Sequence, residues 1–296
     1  MTLFDLAALA AALCVAFSNL IAPPAVRHFG SFAFNRWRQA AALVVLCIMT
    51  SWRGGWSSLS RTDLAALTVS AIVGIVAGDS AVYACMARLG PRRAAILYAT
   101  NAPFAALLGF LLLDETLSIA KCAGIAAVIT GVWIAIAYRD ANPRDALEEI
   151  RGRISVGIGF GLLGGLAQAV ATLIARPIMA AGTDPVAAAS IRSAAALLGL
   201  LGLSILPGFR GVNPPSLRMS AIAALSGLIG MGAGMTLILF ALSGSPTGVV
   251  NTLASTTPVL LLPMLWMASG ARPTAMAWFG AALSVVGIAI LSGGFL

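Results

Sequence analysis

The chain has 296 residues, 60% hydrophobic and only 9% charged, whereas a soluble domain carries charge on about a quarter of its residues. The net charge of +8 does not point to nucleic acid, because the basic residues fall singly or in pairs near the ends of apolar runs, as headgroup contacts and topology signals do. A water-soluble fold is excluded, and the class is an all-α integral membrane protein.

A hydrocarbon core of ~30 Å takes roughly 20 apolar residues per helix. Uncharged runs predict ten transmembrane helices, near 3–22, 32–50, 64–86, 91–113, 118–138, 155–178, 186–206, 219–242, 246–268 and 273–293. The first is not a cleavable signal, since Asp5 stands where a basic segment belongs and the apolar run is too long. Cys14, Cys47, Cys85 and Cys122 fall in four different spans and read as small buried hydrophobes, not as a metal cluster or a disulfide framework. The longest charged connection, 140–154, separates a first unit, 1–139, from a second, 155–296.

The two units repeat each other. Arg38-Gln39-Ala40-Ala41-Ala42-Leu43 is echoed by Arg192-Ser193-Ala194-Ala195-Ala196-Leu197, Gly74 and Gly78 by Gly230 and Gly234, and Pro91 and Pro103 by Pro246 and Pro258. Leu20 to Pro24 is echoed by Leu173 to Pro177, so four matches follow in one order at offsets of 153 to 156. Five spans per unit is an odd number, so the second unit enters the membrane from the opposite side. The prediction is two inverted five-helix repeats (5+5), an arrangement typical of secondary transporters. Gly157, Gly161 and Gly165 form a small-residue stripe on the sixth span, and close helix packing is the plainer use of such a stripe.

Gly78-Asp79-Ser80-Ala81-Val82-Tyr83, Arg88-Leu89-Gly90-Pro91, Asn101-Ala102-Pro103 and Leu113-Asp114-Glu115-Thr116-Leu117-Ser118 resemble the EamA repeat of the drug/metabolite transporter superfamily. The second unit resembles it through Pro258 and the run Gly280 to Ala289, but departs where Gly270 stands in place of Glu115. The resemblance covers both units. It implies a ten-helix exporter or exchanger of small metabolites, often amino acids, with a cavity between the halves. Amino-acid exporters of the YddG type are an attractive match within it. Members often hold both termini in the cytoplasm, whereas counting 13 Lys and Arg on the odd-loop side against 5 on the other puts the termini outside.

Asp79 and Asn101 lie eleven residues on either side of the turn at Gly90, roughly 16 Å into the core at about 1.5 Å per residue. Tyr83 and Tyr98 are shallower by about one turn. Asp79 alone among the acids is deep, and a buried carboxylate is kept only if paired, hydrated or protonated. It reads either as an ammonium-binding or proton-coupling group, or as a structural acid paired with Arg36, Arg38 or Arg88. Asn251, Ser255 and Thr256 occupy the matching region of the ninth span, Gln168 and Thr172 the middle of the sixth, and Ser18 and Asn19 the end of the first. These are candidate cavity residues, and Pro103 and Pro258 are candidate gating hinges through the backbone bonds they remove.

No HExxH motif is present and the lone histidine is His28, which argues against an intramembrane enzyme. The expectation is an alternating-access carrier in the inner (cytoplasmic) membrane, monomeric or dimeric, with no cofactor, no metal and no nucleic-acid partner. Its partners are the lipid bilayer and a small-molecule substrate, an amino acid first. A nucleoside, drug or cationic metabolite is the alternative.

Overall fold

Helix starts are written locally. Thr2 and Asp5 form a capping box, the Thr2 amide donating to the Asp5 carboxylate at 2.8 Å and the Asp5 amide to the Thr2 hydroxyl at 3.2 Å, which satisfies two otherwise orphaned donors. Ser60 and Asp63 do the same for the helix from Arg61. Asp184 accepts from the amides of Val186 and Ala187 and pairs with Arg53 at 3.6 Å.

The computed structural model describes residues 2–113, 118–137, 152–257, 259–260, 263–264, 267 and 274–291. The first half runs α1 (Leu3–Ile21), α2 (Pro23–Phe29), α3 (Ser31–Arg53), α4 (Arg61–Leu89), α5 (Pro91–Tyr98), α6 (Asn101–Leu112) and α7 (Ile119–Ala137). The second half contains α8 (Ile154–Ala180), α9 (Pro185–Leu203), α10 (Leu217–Gly244), α11 (Thr247–Ala254) and α12 (Ala275–Leu291). Among the described residues, α1, α4, α8, α9 and α10 are long and apolar enough to cross a membrane. Their outward faces are apolar as well, with Leu13, Val69, Leu163, Leu198 and Leu225 exposed.

Three features depart from ten plain spans. Pro23 begins a short extra helix, α2, which ends at Gly30. The predicted fourth span breaks at Ala99 and Thr100 into α5 and α6, and the ninth breaks after α11 at Ser255 and Thr256. Third, α4 and α10 each widen into a π-helical stretch, Ile72–Asp79 and Leu228–Gly234, at matching places in the two halves. Glycine explains the position of both stretches. A Cβ at Gly74 would stand 2.5 Å from the Ala171 Cβ of α8, and one at Gly230 2.7 Å from the Ser18 Oγ of α1.

The halves interlock reciprocally. α1 packs on α10 and α8 on α4, so the first long helix of each half lies against the third long helix of the other, while α3 packs on α9, α6 on α11 and α7 on α12. The hydroxyl of Ser18 in α1 donates to the Ser226 carbonyl of α10 at 3.0 Å, and that of Ser70 in α4 to the Ala171 carbonyl of α8 at 2.7 Å. The Gly157, Gly161 and Gly165 stripe packs against Leu89, Leu97 and Thr100.

Two expectations are corrected. Only Cys85 is buried, and Cys122 is exposed; in a lipid-facing protein both surfaces of a helix are apolar, so hydrophobic surroundings in sequence do not assign a residue to the inside. Arg38 and Arg192 are not end-of-span charges, because each lies inside a helix and is buried. Pro258, Asp114, Glu115, Gly270 and most of the predicted 140–154 connection lie outside the described residues.

A Cβ at Gly227 would meet the backbone of Arg38 in α3, whereas none of the described atoms lies within 4 Å of one at Gly159. Gly227→Ala is therefore expected to lower stability by about 1–3 kcal/mol, the usual cost of overpacking. Gly159→Ala should leave it unchanged or raise it, as read by thermal or SDS-induced unfolding in detergent.

Candidate functional site

Arg38 sits in the middle of α3, one turn after Phe34, and its side chain crosses to α4. Its guanidinium donates to the Tyr83 hydroxyl, lies 3.9 Å from the Asp79 carboxylate, and donates to the Ser18 hydroxyl at 3.3 Å. It also stands 5.1 Å from the Tyr83 ring centroid and 5.7 Å from that of Phe34, and those two rings meet edge to face at 4.9 Å. Asp79 closes the π-helical stretch of α4 and Tyr83 follows one turn later. Asn35 helps hold the stretch, its amide donating to the Ile75 carbonyl at 3.0 Å and the Ser80 hydroxyl at 3.3 Å.

These groups open on a cavity of about 100 Å³ between the halves. The Arg38 side chain is 4% exposed and that of Asp79 18%, so the carboxylate presents an edge to the cavity while the guanidinium is almost wholly enclosed. Of the predicted residues, Asn19, Asp79, Tyr83, Tyr98, Gln168, Asn251 and Ser255 line it.

Asn101, Thr172 and Thr256 do not line it. The Asn251 amide donates to the Thr172 hydroxyl at 2.9 Å, and the Ser255 hydroxyl donates to Asn101 at 3.2 Å, so Thr172 and Asn101 support two wall residues from behind. Thr172 in turn donates to the Gln168 and Ala169 carbonyls, and Thr256 spends its hydroxyl on the Leu253 carbonyl at 2.6 Å, the usual outlet for threonine inside a helix. Pro103 lies in the first turn of α6, just after the break, where the missing N–H is one of the four a helix leaves unsatisfied anyway. The kink expected within a continuous span is thus a discontinuity placed before the proline.

Sequence reasoning missed three groups of the wall: Arg38, the methionines Met86, Met231 and Met235, and Thr257. Arg38 heads the repeated Arg38-to-Leu43 string and is one of the three partners named for Asp79, but was not among the candidate wall residues. Arg36 and Arg88, the other named partners for Asp79, go elsewhere, to the Phe209 carbonyl and to the Ala84 carbonyl and Phe160 ring. Among the described residues no group of His, Cys, Asp and Glu is arranged to hold a metal.

The model of the EamA-like transporter family matches residues 2–137 and again residues 155–293. The chain belongs to the EamA-like transporter family. It is accordingly a multi-pass membrane protein and a transporter of small molecules, and the EamA family are transporters rather than enzymes. No curated protein matches it. A solved structure described only as "Crystal structure of protein" shares the fold, with a TM-score of 0.78 over 97% of this chain and 95% of that one, at 16% identity.

A buried ion pair that loses one partner leaves an uncompensated charge, at a cost of about 3–5 kcal/mol. Arg38→Met is expected to destabilise this EamA protein on that order, and Asp79→Asn by less, because the carboxylate reaches the cavity. The double variant should fall short of the sum of the singles, as measured by unfolding in detergent.

Proposed function

We propose that this chain is a secondary transporter that exports or exchanges small metabolites, amino acids first, by alternating access across the inner (cytoplasmic) membrane. In this reading ten spans form two inverted five-helix repeats, and the reciprocal packing of equivalent helices supports it. So do the paired breaks at Ala99–Thr100 and Ser255–Thr256, since discontinuous helices at the repeat interface are where such carriers keep their substrate.

One observation carries the substrate assignment: the cavity wall holds a guanidinium and a carboxylate side by side, and Gln168 and Asn251 line the same cavity. A zwitterion exchanges its own two charges with such a pair, so neither protein charge is left uncompensated when the solute binds or leaves. The Gln168 amide and the Asn251 carbonyl oxygen offer further polar contacts, the Asn251 NH2 being spent on Thr172 and Thr247. Tyr83, Tyr98 and the three methionines give an apolar surface for a side chain.

Size bears on the alternative. Drug-sized sites usually enclose roughly 300–1,000 Å³, well above the cavity here. Nucleosides and cationic metabolites are nevertheless favoured by one feature, the methionine and tyrosine wall, which would accept a planar or onium group.

The test is counterflow uptake in proteoliposomes loaded with an amino-acid mixture. Wild type is expected to exchange at least one amino acid, and Asp79→Asn to lose most of that exchange while remaining folded. Folded wild type that exchanges no amino acid but takes up nucleosides or cationic amines would overturn the assignment in favour of the second reading.

A further inference from the structure

Arg38 has a counterpart. Arg192 heads the matching string on α9, and its surroundings copy those of Arg38 with the halves exchanged. Arg38 of the first half lies against Gly230 in the π-helical stretch of α10, and Arg192 of the second half against Gly74 in that of α4. Arg38 donates to Ser18, which bonds Ser226 of α10. Arg192 donates at 2.7 Å to Ser70 of α4, which bonds Ala171. Ser70 and Ser226 are themselves equivalent, 156 positions apart.

The likeness fails at the aromatic partners, since Leu239 and Ala188 stand where Tyr83 and Phe34 do, and it fails at the acid. The position equivalent to Asp79, again 156 further on, is Met235. Arg192 therefore has no carboxylate of its own half beside it, and among the described residues none lies within 4.0 Å. It is 0% exposed, and its Nε and Nη2 have no hydrogen-bond partner among the described residues. Asp79 attracts it only from beyond ion-pair distance, a buried ion without a contact partner costs several kcal/mol, and charged groups at membrane depth mark substrate pathways when they are kept.

Arg192 is also near the cavity without reaching it. The Cβ position at Gly74 lies 3.3 Å from Arg192 Nη2 and 3.6 Å from the Oε1 of Gln168, which lines the wall. The second guanidinium and Gln168 thus flank the same point of α4, and of the two only Gln168 lines the cavity.

We propose that Arg192 is a second anion-binding group of this cavity, withheld in the present state and presented in the opposite-facing one, where it takes over from Arg38. The inference rests on the alternating-access reading. When two halves of like fold trade conformations, equivalent residues trade environments: Arg38 lines the cavity now, 4% exposed, and Arg192 does not reach it, and the reverse holds after the exchange. Two guanidiniums against one carboxylate leave the centre one positive charge in excess. The substrate supplies the missing anion, so its recognised group is a carboxylate, and a solute that is only cationic is repelled in both states.

The experiment needs no variant. Wild type in nanodiscs is treated with phenylglyoxal, which modifies accessible guanidiniums, and the adducts are resolved by peptide mass spectrometry with exposed Arg53 as the reference. Leucine, glutamate and succinate are each compared with their uncarboxylated amides as protectants. Arg192 is expected to react more slowly than Arg38 by the population of the opposite state, about a tenth to a thousandth. Carboxylates should slow both, amides neither, and Arg53 should be indifferent. Reaction of Arg38 with none at Arg192 would overturn the exchange, and reaction of both without protection by any carboxylate would overturn the anion assignment. Neither result depends on counterflow, so the labelling can fail while transport stands, and the reverse.

Discussion

Helices surrounded by hydrocarbon gain nothing by burying leucine against leucine, because lipid tails offer the same environment. What holds this chain together is the close approach of backbones where side chains are absent. Gly74 and Gly78 let α4 settle on α8, and Gly230 and Gly234 let α10 settle on α1. Each of these pairings joins one half to the other, so the two halves cannot be separated without undoing both. The contact of α7 with α12 has the same character, with Gly131 over the backbone of Gly280 and Ser284 and Gly287 over that of Val128.

The same constraint makes the cavity. Glycine-rich stretches that pack tightly also widen into π-helix, and the widened turn of α4 delivers Asp79 to the space between the halves. Once a carboxylate stands there, hydrocarbon surroundings require a partner, and Arg38 reaches it from α3. Tyr83, Ser18 and Phe34 then hold the guanidinium in place. A packing requirement and an electrostatic one thus meet in the same stretch of α4. The helix breaks fall at Ala99–Thr100 and Ser255–Thr256, and Ser255 of the second lines the cavity.

Near-symmetry gives the molecule two copies of some parts and one of others. The arginines, Ser70 and Ser226, and the glycines against the arginines are duplicated, while Tyr83, Phe34 and the deep carboxylate are not. The asymmetry falls at the cavity, where the first half supplies the carboxylate.

Much of this was readable from the order of the residues alone. The scarcity of charge dictates a membrane environment because a soluble surface needs ions to solvate it, and the repeated strings define two equivalent halves because like sequences pack alike. Capping residues and Gly90, with its positive φ of 83°, set where helices start and turn, since those choices are made within a few residues. Depth was legible too, by counting from that turn, and seven of the candidate residues line the cavity. Only the tertiary structure decided which side of each helix faces inward, because in lipid both sides are apolar and periodicity carries little information. It separated Asn251 and Ser255, on the wall, from Thr172 and Asn101 behind them, and it moved Cys122 to the outside. It also turned Arg38 and Arg192 from end-of-span charges into buried ones. That last step depends on glycines some 190 and 120 residues away in the chain, whose missing side chains make the room each guanidinium occupies.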